Sequence, residues 1–412
     1  MNPSESKSRD AIRNLAAQLA EFAQTEEHAQ RKQLWNDVNS LRKPRRPPVV
    51  CHPGSGCWAE IEAGSELVSE DPFLADVELQ LRRKVYKLQL DDDTVIEPWW
   101  VHPAVELEGE HLWGMPIGYT HSDASDQSTR CAWTYDPPIK EEADIENITP
   151  PRYKHNETKT QENLSRMEEL LGDILPVRLF GAVPGPGAWL HGWATQLCGV
   201  EALLVYMMDR REWVHRLMSL LRDGHLGVMT QFEEMGVLTL NNTGLMACDD
   251  LPQPDFDGGH VRLKDLWGRG ESQEFQGVSP AQHEDFLLQY QLPILARSGL
   301  SFYGCCEDLT NKIPLILSIS NLRKFVCSPW TNLETLVEAV DRRYCIEWRQ
   351  KATDVVFAHG LQSIRDHLER GLQAAQGCCI QVVLQELETC DGNPQRLREW
   401  AALAKEIGAN CW

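Results

Sequence analysis

The chain beyond residue 170 repeats one pattern, a short apolar run followed by a longer amphipathic stretch. The apolar runs are ILPVRLFGA, GVLTLNN, GLSFYGCC, LRKFVCSPW, RYCIEWRQK and CIQVVLQEL. Each run has the length of one strand, and each stretch between runs has the length and spacing of a helix. Parallel strands need such a helix to carry the chain back to the same edge of the sheet. The pattern therefore predicts an α/β fold with a parallel sheet.

The number of runs favours a closed sheet. With the run VVCH at 49–52 and one strand concealed in the acidic region before residue 170, about eight strands can be found. Eight β/α units form a (β/α)8 barrel, and a doubly wound open sheet is the alternative that the pattern leaves open. Neither a G-x-G-x-x-G nor a Walker signature follows a run, which disfavours the nucleotide-binding form of the open sheet.

Three helix starts can be read from capping residues. Ser279 and Gln282 form a capping box around Pro280, and Thr331 with Glu334 forms a second one after CSPW. Asn393 is predicted to cap the last helix. These starts lie after apolar runs, as β/α units require.

The predicted domain organisation is one barrel with an extension. Residues 1–45 have helical apolar spacing and end at prolines, so they are predicted to form an N-terminal helical extension. Residues 46–412 are predicted to form the single barrel domain, with an excursion at about 60–170.

Charge and composition exclude several classes of protein. The chain has 61 acidic and 40 basic side chains, a net charge of -21, so binding to nucleic acid is not expected. It begins with the polar MNPSESKSRD and has no apolar stretch long enough to span a bilayer, which predicts a cytoplasmic protein without a membrane partner. Thirteen cysteines are too sparse for a disulfide scaffold, and in the cytoplasm they would be free thiols.

The stretch FYGCCEDLT concentrates potential metal ligands at the end of a run. In an extended strand Tyr303, Cys305 and Glu307 share one face, and Cys306 lies on the other. Thiolates and carboxylates both bind zinc, and Cys390, at the end of CIQVVLQEL, is the best distant ligand. The alternative is that these cysteines only fill the core, where free cysteine is common.

Other candidates have a structural alternative. Cys51, His52 and Cys57 form a rival zinc cluster, although neighbouring residues of a strand face opposite ways. The further candidates are Asp249 as a general base or substrate clamp, Glu274 as an acid facing the barrel mouth, Tyr303 as a proton donor, and His191 with Trp189 as residues lining the mouth. The alternatives for these residues are turns, exposed loops and packed aromatic groups.

The sequence from about residue 175 onward resembles the uroporphyrinogen decarboxylase superfamily. The resemblance lies in GVSPAQHEDFLLQYQLPILARSGLSFYGCCEDL, with LWNDVNSLRKPRRPPVV upstream and ELETCDGNPQRLREW downstream. In that superfamily an S-P-x-x-x-x-x-F helix leads to a strand that ends in His-x-Cys or a variant. The resemblance implies a (β/α)8 barrel, often dimeric, with either cofactor-free decarboxylation or zinc-dependent methyl transfer involving corrinoid proteins.

The departures from the superfamily pattern favour its methyltransferase branch. True uroporphyrinogen decarboxylases have an arginine-rich RQAGRY-like segment for a polycarboxylate, where this chain has CHPGSGCWAEI. Resemblance to the methyltransferase branch implies a Zn2+ held by Cys305 and Cys390, with Glu307 or Cys306 as a further ligand, and Tyr303 stands where the branch has histidine. It also implies a small methylated substrate and a cobalamin carried by a partner protein, because the chain lacks an Asp-x-His-x-x-Gly signature.

Two functional hypotheses follow from the sequence. The first is a methyltransferase that moves a methyl group between a small methylated substrate and a corrinoid protein, with zinc at the barrel mouth. The second is a metal-free barrel, either a lyase that decarboxylates its substrate or a non-catalytic protein that binds a small molecule. The thiol of Cys390 distinguishes them, since a purely structural barrel has little need of it at a strand end.

Overall fold

A computed structural model describes residues 3–110, 113–121, 133–181 and 188–412. The strands are β1 (Val49–Pro53), β2 (Trp100–Ala104), β3 (Leu107–Glu110), β4 (Gly118–His121), β5 (Trp133–Asp136), β6 (Arg152–His155), β7 (Val177–Phe180), β8 (Trp267–Gly270), β9 (Leu300–Tyr303), β10 (Leu322–Cys327), β11 (Cys345–Gln350) and β12 (Cys379–Leu387). The α-helices are α1 (Pro3–Phe22), α2 (Glu26–Asn39), α3 (Ser55–Ile61), α4 (Pro72–Gln89), α5 (Glu157–Leu171), α6 (Leu190–Cys198), α7 (Val200–Asp209), α8 (Arg211–Glu234), α9 (Pro280–His283), α10 (Gln289–Leu295), α11 (Ile313–Ile316), α12 (Leu333–Val340), α13 (Ala352–Val356), α14 (Gln362–Ala374) and α15 (Gln395–Cys411).

Six parallel strands form a curled sheet in the order β1, β12, β11, β10, β9, β8. A helical segment follows each of β8 to β12, which confirms the predicted α/β alternation. The sheet is half of a barrel. Two further strands, β2 and β7, pair in parallel as a separate two-stranded sheet.

The excursion predicted at about 60–170 contains one strand of a parallel pair, β2, as well as antiparallel strand pairs. It contains α4, β2 and α5, together with two antiparallel pairs, β3 with β6 and β4 with β5. Residues 111–112 and 122–132 of the excursion lie outside the described residues. The division into an extension and one barrel domain stays a prediction.

Two strand assignments differ from the sequence pattern. The run GVLTLNN has no strand, because side chains replace a backbone ladder there: Thr239 Oγ1 accepts a hydrogen bond from Gly181 N at 2.7 Å, and Asn241 exchanges hydrogen bonds with the Trp267 backbone. Strand β8 instead has the sequence WGRG, which lacks the β-branched residues that signal a strand. Its Gly270 is required by packing, since a Cβ there would lie 2.4 Å from the Tyr303 ring.

The helix starts agree with the capping predictions only in part. The capping box of Ser279 and Gln282 is present and opens α9. The box predicted at Thr331 is wrong: Asn332 caps α12 by accepting from Thr335 N at 2.8 Å, and Thr331 Oγ1 instead accepts from Leu309 N. The last helix begins one residue later than predicted, with Pro394 at the cap position.

The two faces of the six-stranded sheet differ in polarity. Along β11, Ile346 and Trp348 lie in the large core that the surrounding helices cover. Glu347 and Arg349 alternate with them and therefore lie on the opposite, concave face. Helix α2 covers the concave face at the edge where the strands begin. Its Trp35 packs against Cys345 and Cys379, the first residues of β11 and β12. Charged side chains are thus left at the carboxyl ends of the strands.

Within the described residues, no helix is both long enough and apolar enough to cross a bilayer.

Candidate functional site

The candidate site lies where β8, β9, β11 and β12 end. Cys305 and Cys306 follow β9 directly, and the turn that presents them depends on Gly304. Gly304 has φ +116, and a Cβ at this position would lie 2.8 Å from the Val326 carbonyl oxygen. The glycine therefore breaks the alternation of the strand and sets the direction of both thiols. In parallel β/α proteins this edge of the sheet holds the reactive groups.

The two thiols form a coupled pair. Their sulfur atoms are 3.4 Å apart, and Cys306 Sγ donates to Glu386 Oε1 at 3.0 Å. Hydrogen bonding by Cys306 lowers the pKa of Cys305 and outweighs the opposing effect of burial. The same interaction raises the pKa of Cys306. Cys305 is thus the thiol that ionises first, and Cys306 retains its proton.

Two arginines lie beside Cys305. Arg269 Nη2 is 3.4 Å from the Cys305 sulfur and 2.7 Å from Glu271 Oε2. Arg349 donates to the Cys305 carbonyl oxygen at 3.0 Å and to Glu347 at 2.9 Å. The negative charge of Glu271 opposes ionisation of Cys305, and the positive charge of Arg269 favours the thiolate.

Sequence reasoning missed Arg269, Glu271, Arg349 and Glu386. Arg269 and Glu271 lie in or just after β8, which the pattern did not reveal as a strand. Arg349 and Glu386 lie inside recognised strands near their carboxyl ends. The signal that could have identified them is a charged residue near the end of an otherwise apolar strand.

Glu307 lies close to the thiols, but its carboxylate accepts hydrogen bonds from neighbouring residues of the chain. Its Oε1 accepts from Ser272 N at 2.7 Å and from Ser272 Oγ at 3.0 Å, and its Oε2 accepts from Cys305 N at 2.8 Å. The residue is completely buried. Glu307 therefore ties the segment after β9 to the segment after β8, with both carboxylate oxygens engaged.

Tyr303 lies on the helix-facing side of the sheet and not at the mouth. It is completely buried, and its hydroxyl donates to Gln291 Oε1 at 2.8 Å and lies 3.0 Å from His283 Nε2. Burial raises the pKa of the Tyr303 hydroxyl. This position does not suit a proton donor to a substrate.

Cys390 belongs to a different cluster, with Cys57 and Glu60. Its Sγ is 3.1 Å from Glu60 Oε2, and the same oxygen accepts from Gly392 N at 3.0 Å. Burial, followed by the neighbouring Cys390, raises the pKa of Cys57. The structure thus joins Cys390 to Cys57, a residue of the rival zinc cluster, through contacts separate from those of Cys305. Cys51 of that rival cluster is a buried core residue.

His191, Trp189 and Glu274 lie together. His191 Nε2 is 2.8 Å from Glu274 Oε2, and the Trp189 ring lies 6.3 Å from the His191 ring. Burial opposes ionisation of Glu274, but His191 outweighs it and lowers the pKa of the carboxyl. The sequence predicts Glu274 and the pair of His191 and Trp189 as separate candidates at the barrel mouth and does not predict this contact; His191 is completely buried.

Asp249 lies at the opposite edge of the sheet. It accepts hydrogen bonds from Asn36 at 2.9 Å and from Arg42, both on or just after α2. The bond from Asn36, followed by that from Arg42, lowers the pKa of Asp249. The structure therefore separates Asp249 from the other predicted site residues.

The predicted zinc ligands do not fit a single ion in this arrangement. In the part of the chain that the structure describes, no group of three or more histidine, cysteine, aspartate or glutamate side chains could hold a metal ion. Cys305 and Cys390 contact different groups, and both oxygens of Glu307 accept hydrogen bonds. Zinc and cobalamin stay predictions from the sequence resemblance.

Comparison with known proteins gives a likeness to solved structures alone. No family model matches the chain, and no curated protein matches it. A solved structure described as a methyltransferase from Methanosarcina mazei is similar over 91% of this chain and 98% of that chain, with 12% sequence identity and a TM-score of 0.49. We draw no conclusion about activity from so distant a likeness.

Proposed function

We propose that this protein is a methyltransferase whose reactive group is the Cys305 thiolate. The observation that carries the proposal is the position of Cys305 at the carboxyl end of β9, where Cys306 lowers its pKa and Arg269 lies 3.4 Å from its sulfur. A thiolate is a strong nucleophile toward saturated carbon. Among the described residues, Cys305 Sγ contacts Arg269 and Cys306 and no histidine, so the proposed thiolate does not depend on a histidine base.

The proposed step is a displacement at carbon. A lone pair of Cys305 Sγ forms the bond to the methyl carbon, and the bond from carbon to oxygen or nitrogen of the substrate breaks. The electron pair leaves on that heteroatom, which takes a proton from water. The thiolate leaves again when a nucleophilic acceptor takes the methyl group, and a lowered pKa makes it a better leaving group.

We propose that this acceptor is a corrinoid on a separate protein, with cobalamin as the group that supplies the strong nucleophile. The chain itself lacks the Asp-x-His-x-x-Gly signature for holding the corrinoid. Zinc, if bound, would polarise a leaving heteroatom, but the proposed step does not depend on it. A homodimer is proposed on the sequence resemblance alone.

We also propose that β2 and β7 complete a (β/α)8 barrel of the uroporphyrinogen decarboxylase superfamily. Two contacts join the outer strands of the six-stranded sheet to segments next to β2 and β7 in the sequence. Asp93, which precedes β2, donates from its backbone N to Val49 O of β1 at 2.7 Å. Ala188, which follows β7, makes a parallel bridge to Gly270 of β8. Six strands and the parallel pair β2 and β7 together give the number that such a barrel requires.

A lyase acting on a carboxylated substrate is the second candidate. Arg269 and Arg349 favour it, since two guanidinium groups beside Cys305 can hold a carboxylate. Each already has a carboxylate partner, Glu271 at 2.7 Å and Glu347 at 2.9 Å, with which a substrate would compete. Release of CO2 from a substrate would distinguish this activity from methyl transfer.

The test measures methyl transfer to free cob(I)alamin by its absorbance, with methanol, trimethylamine, dimethyl sulfide and methoxybenzoate as donors. We expect one of the oxygen- or nitrogen-linked donors to support transfer and Cys305→Ser to abolish it, whereas Cys390→Ser retains it; dimethyl sulfide, which has only carbon–sulfur bonds, is the negative control. Tandem mass spectrometry without an acceptor should find the methyl group on Cys305. Equal rates in wild type and Cys305→Ser would contradict the proposed role of the thiolate. Elemental analysis of both variants tests the zinc prediction separately.

A further inference from the structure

A cavity lies away from the thiol site. It has a volume of about 660 Å³ and is bounded by α4, the start of β2, strand β7 and the segment at 239–244. Cys305 and its neighbours Arg269 and Arg349 are not among its lining residues. Its size suits a small organic molecule.

Two positively charged side chains line this cavity beside tryptophan rings. The Arg178 guanidinium carbon is 3.7 Å from the centre of the Trp99 ring, and Lys84 Nζ is 5.5 Å from the centre of the Trp100 ring. Within the described ranges, neither cation has a hydrogen bond or a salt bridge to a carboxylate. Burial lowers the pKa of Lys84, and the negative charge of Glu97 opposes this shift.

Among the described residues, the one carboxylate in the cavity lining, Glu97, is bonded to groups other than these two cations, although its charge also acts on Lys84. Glu97 Oε2 pairs with Lys32 at 3.0 Å, and its Oε1 accepts from Gly244 N at 2.6 Å. The cavity therefore has a positive excess in a chain whose net charge is -21. Such an excess in a cleft favours binding of an anion.

Most of the rest of the lining is apolar or aromatic, although Gln80, Thr239, Asn241 and Thr243 also line the cavity. Phe180 is 50% exposed even though it lies in a strand, and Phe256 and Val261 lie in the lining as well. An exposed aromatic side chain inside a cavity offers a flat surface to a flat ligand. Neither a purely aliphatic nor a purely ionic ligand would use both parts of this lining.

We propose that this cavity binds a small planar aromatic carboxylate. Its carboxylate would interact with Lys84 and Arg178, and its ring would lie against the aromatic lining near Phe180. The inference is independent of methyl transfer, since it rests on residues that take no part in the thiol site.

Isothermal titration calorimetry of the full chain with benzoate and 2-naphthoate tests this site, with uncharged 2-naphthamide as the matched ligand. We expect 2-naphthoate to bind once per chain and at least about tenfold more tightly than the amide, as expected for a charge-assisted contact. Lys84→Met and Arg178→Gln should each weaken binding of the acid about tenfold. Lys84→Arg and the exposed-site control Lys154→Met should retain it.

Three results would overturn the proposal: no saturable binding of either acid, equal affinity for acid and amide, or unchanged binding in both charge-removing variants with native circular dichroism. Cys305→Ser provides the comparison with the methyl-transfer site, because it should abolish methyl transfer and leave binding of 2-naphthoate unchanged.

Discussion

The chemistry of each cysteine in this protein depends on its immediate neighbours. Burial raises the pKa of Cys51 to about 12 and that of Cys379 to about 11, so these thiols are unreactive core residues. Cys305 differs because Cys306 and Arg269 stabilise its anion. The sequence identified Cys305 and Cys306 as candidates, but Arg269 lies 36 positions away along the chain and could not be assigned to the same site.

Replacing Cys306 tests this dependence. Cys306→Ala removes the hydrogen bond that most lowers the pKa of Cys305, so a smaller fraction of Cys305 is ionised near pH 7.4. We expect alkylation of Cys305 by iodoacetamide to slow about threefold to tenfold at pH 7.4 and the midpoint of its pH profile to rise. Mass spectrometry of the peptide gives the rate, with Cys411→Ala as a distant control. An unchanged midpoint would show that Cys306 does not set the reactivity of Cys305.

At the scale of the element, the end of β9 is fixed by one glycine. Gly304 has φ +116 and a Cβ there would lie 2.8 Å from the Val326 carbonyl oxygen. Its role was not predicted from the sequence, because the requirement comes from the neighbouring strand β10. The runs that became β9 to β12 were predictable because their apolar residues are local and continuous.

Gly304→Ala should therefore destabilise the protein. The backbone strain and the contact with Val326 are expected to cost about 1–3 kcal/mol of the free energy of unfolding, measured by urea denaturation. Gly360→Ala is the matched control, since nothing lies within 4 Å of a Cβ at that position. It should change the free energy of unfolding by less than about 0.5 kcal/mol. Equal stability of the two variants would contradict the strain at Gly304.

At the scale of the whole molecule, buried histidines couple stability to pH. Burial lowers the pKa of His225 to about 4, and burial together with Lys312 lowers that of His283 to about 3. An unfolded histidine has a pKa of about 6.5, so below that pH the unfolded chain binds protons that the folded chain does not. The free energy of unfolding should therefore fall as the pH decreases from about 6.5 toward 4.

His225→Leu tests this coupling. It removes one buried titrating group, and the loss of stability between pH 7 and pH 5 should shrink by about 1–2 kcal/mol. Urea denaturation at the two pH values measures the difference, with exposed His359→Gln as the control. A pH dependence identical to that of wild type would contradict the burial of a neutral imidazole at position 225.

The sequence by itself determined the α/β class, most strands of the parallel sheet and the thiols after β9, because apolar periodicity and adjacent residues are local properties of the chain. Only the tertiary structure decided that Tyr303 faces the helices, that Cys390 contacts Cys57 and Glu60, and that Arg269 and Glu386 surround the thiol pair. These contacts join residues distant along the chain. They depend on the pairing of strands and on the turn at Gly304, which a local pattern does not specify.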